Sequence, residues 1–139
     1  MQIKFFIPTV IVLKLLFVFS SQCFGQAEAI KKSLISIEDA AICRGVVERE
    51  PIEPGEVFPA DIKKLFCFSK VTGALEDTEV IHVWYYKGKL VSRTSLRVKS
   101  VNWRTYSSKT IAPEDTGEWK VEIHTKDGEL LKQIYFAVN

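Results

Sequence analysis

The chain has 139 residues, of which 19 are basic and 17 acidic, and 47% are hydrophobic. That length suits one small domain and leaves little room for a deep active-site cavity. Its charge excludes a strongly basic nucleic-acid binder, since Lys4 and Lys14 fall in a removable leader and leave 17 basic against 17 acidic residues.

The leader is residues 1–27. Lys4 supplies a basic start, Phe5 to Phe19 an apolar run, and Gly25 and Ala27 the small residues that a signal peptidase needs before a cut after Ala27. Ala27-Glu28-Ala29 offers a second cut. Pro8 and Lys14 interrupt the apolar run, so a retained N-terminal anchor is the alternative, with a charge at mid-membrane costing about 3 kcal/mol. Cys23 does not make a lipid-attachment site, because Gln22 stands where a small residue is required. The expectation is an exported protein, periplasmic or secreted, with no stable membrane span after processing.

Residues 28–36 read as a polar lead-in, and residues 37–139 as an all-β domain. The first strand runs from Ile37 to Glu50. Pro51, Pro54, Gly55 and Pro59 then form a rigid connection expected to stay outside any sheet. Asp61 to Val71 is the second strand and Val80 to Tyr86 the third. Lys87-Gly88 turns into a fourth from Leu90 to Val98, with Leu90, Leu96 and Val98 on one parity and Arg93 and Arg97 on the other. Trp103 to Ile111 is the fifth. In the sixth, Trp119, Val121 and Ile123 alternate with Lys120, Glu122 and His124. Asp127-Gly128 signals a two-residue hairpin into Leu130 to Val138, where Ile134, Phe136 and Val138 face inward.

Seven strands at this spacing predict a two-sheet sandwich. The segment Asp115-Thr116-Gly117-Glu118-Trp119-Lys120-Val121 resembles the D-x-G-x-Y-x-C corner of immunoglobulin strands, with Trp119 in the tyrosine place and Val121 in the cysteine place. The expected fold is therefore a seven-stranded immunoglobulin-like β-sandwich. Cys43 and Cys67 are expected to form a disulfide, as export favours one and a connection centred on Gly55 sets residues 43 and 67 opposite each other.

Several segments resemble a known family when taken in order: Arg49-Glu50-Pro51, Leu65-Phe66-Cys67-Phe68-Ser69, His82-Val83-Trp84-Tyr85-Tyr86, Trp103-Arg104-Thr105-Tyr106-Ser107-Ser108-Lys109 and Gly117-Glu118-Trp119-Lys120-Val121. They are similar to the bacterial family called domain of unknown function 2914, over almost all of residues 40–139. The resemblance implies a compact β domain in exported or membrane-linked bacterial proteins. It carries no catalytic residues with it.

Between Val80 and Pro113 there is no acidic residue, while Lys87, Lys89, Arg93, Arg97, Lys99, Arg104 and Lys109 all lie there. Such a segment suits an anionic glycan, a phosphate or an acidic partner surface, or simply solvates the outer face of a strand and protects an edge. Trp84 and Trp119 are expected in the core. Trp103 and Tyr106, beside Ser100 and Asn102, are the aromatic candidates for a ligand face, with Tyr86 and Arg104 nearby. His82 is the candidate functional histidine. Ser107 and Lys109 share a strand face and could meet, but no oxyanion hole accompanies them. Glu48, Glu50 and Glu53 sit beside the proline-rich turn with no cleft in view. The two histidines lack the ligand spacing of a zinc site, and no cofactor is expected.

The candidate ligand-binding residues are thus His82, Tyr86, Trp103, Arg104, Tyr106, Ser107 and Lys109. They suggest a non-catalytic binding or assembly module of the cell envelope, with glycan or an envelope protein as partner and no nucleic acid. A small envelope hydrolase or metal-dependent enzyme is the alternative. Convergence of His82, Tyr86, Arg104 and Lys109 in one pocket would favour that alternative.

Overall fold

The alternation of apolar and polar residues becomes strands through most of the chain. The structure, a computed structural model, describes residues 34–139. The expected signal peptide with Cys23, and the lead-in up to residue 33, lie outside the described residues. Ten strands follow among those described: β1 (Ser36–Cys43), β2 (Gly45–Val47), β3 (Glu50–Ile52), β4 (Val57–Phe58), β5 (Lys64–Thr72), β6 (Thr78–Tyr86), β7 (Lys89–Val98), β8 (Asn102–Thr110), β9 (Gly117–Thr125) and β10 (Leu130–Val138). They form a three-stranded sheet in the order β1-β5-β8, a five-stranded sheet in the order β4-β10-β9-β6-β7, and a separate β2–β3 hairpin. Every pairing is antiparallel except that of β4 with β10.

The two larger sheets bury a shared core. Ile42, Leu65, Cys67 and Val71 come from one; Val80, Trp84, Val98, Trp119, Val121, Ile123, Phe136 and Val138 come from the other. Each such side chain stabilises by roughly 1.5–3 kcal/mol on burial. Phe136 is the aromatic hub, stacked on Trp119 at 5.8 Å and edge-on to Trp84 at 6.0 Å between ring centroids. Trp84 and Trp119 are core residues, as their strand positions predict. The Trp119 indole N–H donates to the Asp115 carbonyl at 3.0 Å, which ties the start of β9 to the turn before it.

The architecture corrects the seven-strand expectation in several places. The long first run breaks at Arg44 into β1 and β2. The proline-rich connection does join sheets: Pro51 lies in β3 opposite Val46, and Val57–Phe58 pairs with Ala137 and Val138. Proline is tolerated there because β3 belongs to a two-stranded hairpin, where a ladder can leave one N–H position vacant. The Asp127-Gly128 hairpin has three loop residues, not two. Gly128 N–H donates to the Thr125 carbonyl, Thr125 N–H to the Glu129 carbonyl, and Gly128 takes φ 91°. Leu90 is 57% exposed, because a register shift between Trp84 and Tyr85 on β6 breaks the parity of β7.

The disulfide expectation also fails in this structure. Ile42 stands opposite Cys67 and Cys43 opposite Phe66, one residue away from the expected register. The β2–β3 hairpin and β4 fill the connection, so it does not fold symmetrically about Gly55, and β1 shifts register between Ile37 and Asp39. A slip of one residue reverses the face on which a side chain stands. Cys67 enters the inter-sheet core, whereas the Cys43 thiol donates to the Phe66 carbonyl at 3.7 Å, and both are free.

Candidate functional site

Strand β8 presents different chemistry on its two faces. Ser107 points between the sheets. Its Oγ lies 2.7 Å from His82 Nδ1 on β6 and accepts the Trp84 indole N–H at 3.0 Å. His82 Nε2 reaches Ser69 Oγ on β5 at 3.0 Å. A hydroxyl can donate or accept, so either neutral tautomer of the ring is satisfied. Burial lowers the His82 pKa from 6.5 to about 4, which keeps the ring uncharged. His82 is 0% exposed. His82 and Ser107 therefore bridge the two sheets and are not presented to a ligand at the surface, which corrects their place among the candidates.

The other face of β8 carries Arg104 and Tyr106, beside Phe66 and Phe68 of β5. Tyr106 is 50% exposed and packs edge-on to Phe66 at 5.8 Å, whereas Phe68, directly opposite Tyr106, is 2% exposed. The β2–β3 hairpin closes over this face. Arg104 Nη1 donates to the Glu50 carboxylate and, at 3.3 Å, to the Arg49 carbonyl. Here Arg104 acts as a clasp. Its geometry suits the task, since a guanidinium can serve two acceptors at once.

The hairpin and the β8 face enclose a groove of about 450 Å³, lined by Val46, Glu48, Arg49, Phe68, Arg97, Trp103, Arg104, Thr105 and Tyr106. That volume lies within the range of about 300–1,000 Å³ common for small-ligand sites. Glu48 and Arg49 adopt φ 50° and 64° at the hairpin turn. Two consecutive left-handed residues are normally Asn-Gly in such a turn, and each other residue costs roughly 1–2 kcal/mol. Two long charged side chains are thus held at the groove on strained backbone, a pattern that clusters at ligand clamps.

Of the seven candidates, Trp103, Arg104 and Tyr106 meet in this groove. Tyr86 lies elsewhere: its hydroxyl donates to the Thr116 carbonyl at 2.6 Å and its ring packs on Trp119 at 4.7 Å. Lys109 lies toward the far end of β8, about 17 Å of strand from Arg104, and its Nζ donates to the Thr110 carbonyl at 3.3 Å. It does not meet Ser107, which is occupied with His82 and Trp84. Consequently His82, Tyr86, Arg104 and Lys109 do not converge. Glu50 is the clasp's acceptor, and Glu53 pairs with Arg44 at 3.4 Å.

Sequence reasoning missed Val46, Glu48, Arg49, Phe68 and Thr105 as groove residues, and noticed Arg97 only as one charge in a basic run. The turn Val47-Glu48-Arg49-Glu50 contains no glycine or asparagine, so nothing local marks it as a hairpin. Phe68 looks like any core residue of an apolar strand. Only the β2–β3 hairpin folding over β5 and β8 joins them. Among the described residues, no group of three or more His, Cys, Asp or Glu side chains could hold a metal ion, and no helix is long and apolar enough to cross a membrane.

Comparison with curated proteins gives no match. The model of the family described as "Protein of unknown function (DUF2914)" matches residues 77–138. The matched segment is shorter than the resemblance over residues 40–139, and it runs from the start of β6 to the end of β10. It includes the Trp103–Lys109 run and omits the hairpin that supplies Glu48 and Arg49. Through this segment, which holds Arg97 and the β8 wall of the groove, the chain is similar to the DUF2914 family.

Proposed function

We propose that this protein is a non-catalytic binding module of the bacterial cell envelope, exported by residues 1–27, which recognises glycan in the groove beneath the β2–β3 hairpin. One observation carries the reading. Tyr106, half exposed and able to offer a ring face to a sugar, lines one groove with Trp103 and with the guanidiniums of Arg49 and Arg97, which are able to bond the sugar's hydroxyls. We read the fold as immunoglobulin-like. Support comes from the β1-β5-β8 sheet facing β10-β9-β6-β7, from β4 running parallel to β10, and from the Trp119 bond to Asp115, which does what a tyrosine corner does.

The test is a glycan-array screen of the chain recovered from an exporting bacterium, repeated with Tyr106→Ala. Loss of one stacking ring should weaken capture by about tenfold. Capture of an envelope protein with no glycan signal would replace glycan by protein as the ligand. Recovery of the chain with Met1 intact in the membrane fraction would make the module tethered; the export reading places the new N-terminus between Gln26 and Lys31.

A further inference from the structure

Resting on the glycan reading of the groove, we propose that its ligand bears an oxyanion, a sugar carboxylate or phosphate ester, seated by the guanidiniums of Arg49 and Arg97. The three arginines of the groove are not equivalent. Arg104 is neutralised by Glu50 and spent on holding the hairpin. Arg49 and Arg97 line the same groove, and no carboxylate among the described residues pairs with either. With Arg104 matched by Glu50, they face one lining carboxylate, that of Glu48, which leaves the wall one positive charge in excess. A planar guanidinium fork matches a carboxylate or phosphate in two parallel hydrogen bonds, and such charge-assisted bonds are about twice as strong as neutral ones.

The surroundings favour the same sign. Strands β7 and β8 contribute no acidic side chain, and Glu79, the cross-strand partner of Arg97 on β6, forms no ion pair with it and accepts a hydrogen bond from Ser95. Arg49 is also pre-positioned. Its backbone is fixed in the left-handed region and its carbonyl is held by Arg104, which limits the freedom lost on binding. Tyr106, half exposed in the same groove, selects an acidic sugar over an acidic peptide, because it supplies a flat apolar face for a pyranose ring, with Trp103 beside it in the lining.

The experiment is calorimetric titration of the exported chain with tetragalacturonic acid, its methyl ester, a mannose-phosphate oligosaccharide and hexaglutamate. We expect the acid or the phosphate sugar to bind, and binding to weaken as salt rises from 50 to 500 mM. The sugar that binds identifies the oxyanion. Arg97→Gln should weaken it by about tenfold, whereas Glu48→Gln should tighten it by about two- to threefold by removing a like charge. If the methyl ester binds as tightly as the acid and Tyr106→Ala abolishes both, the oxyanion seat is overturned while the glycan reading survives. If only hexaglutamate binds, or if nothing does, both fall together.

Discussion

His82 Nδ1 lies 2.7 Å from the hydroxyl of Ser107, a contact that crosses from β6 in one sheet to β8 in the other. Together with Ser69 and Trp84 it makes a polar seam inside an otherwise apolar core, with no buried polar side-chain atom left without a partner among the described residues. Such a seam costs little while it is complete and much when one member is removed.

The seam makes stability sensitive to acid. In the native protein His82 is held down to about 4 by burial, against 6.5 in the unfolded chain. Below pH 6.5 the unfolded chain takes up this proton while the native state does not, so stability falls with pH. The contribution is whole above pH 6.5 and is lost as pH falls through 4, about 3 kcal/mol in all. Urea unfolding between pH 7 and 5 measures the upper part of this slope, clear of most carboxylates. His82→Gln should flatten it; an unchanged slope would assign the acid sensitivity to other groups.

Removing the two serines should not cost the same. Ser107→Ala leaves both His82 Nδ1 and Trp84 Nε1 without a partner, whereas Ser69→Ala orphans only Nε2. At about 1–3 kcal/mol for each buried group left unsatisfied, Ser107→Ala should cost roughly twice as much as Ser69→Ala. Denaturation midpoints of the two variants decide it. Equal losses would show that Trp84 does not depend on Ser107.

Cys43 and Cys67 should behave as buried thiols. Burial pushes both pKa values up, which suppresses the reactive thiolate. Alkylation should label both residues in denaturant and neither under native conditions, and reductant should leave the melting temperature unchanged. A peptide linking the two would require β1 to slip by one residue against β5. Cys67→Ala, which opens space in the inter-sheet core, should destabilise by about 1–2 kcal/mol.

Arg104 and Lys109 separate a clasp from a solvated charge. Arg104→Gln removes the ion pair to Glu50 and weakens the hold on the Arg49 carbonyl, so amide exchange across Gly45–Ile52 should accelerate. The global loss should stay below about 1 kcal/mol, because the pair is partly exposed. Lys109→Gln should change neither exchange nor binding. Slow exchange in the Arg104 variant would show that the clasp is not what holds the hairpin.

Local chemistry determined much of this protein. Alternation placed β6, β8, β9 and β10 to within two residues and turned Trp119, Val121 and Ile123 inward, since a strand's side-chain period is written along the chain itself. The Trp103–Tyr106 segment was legible as a candidate surface for a similar reason: aromatics and arginine stand beside loop residues. Tertiary structure decided the rest. Whether Cys43 faces Cys67 or Phe66 depends on what fills the connection to β5, and the β2–β3 hairpin there leaves no local signature. His82 looks like a functional histidine until the opposite sheet supplies Ser69 and Ser107 and makes it part of the core. The groove exists only because a hairpin without turn-forming residues is clasped over β8 by Arg104, joining positions more than fifty residues apart in sequence. Contacts of that range are chosen by the packing of the whole domain, where a one-residue change of register reverses every face.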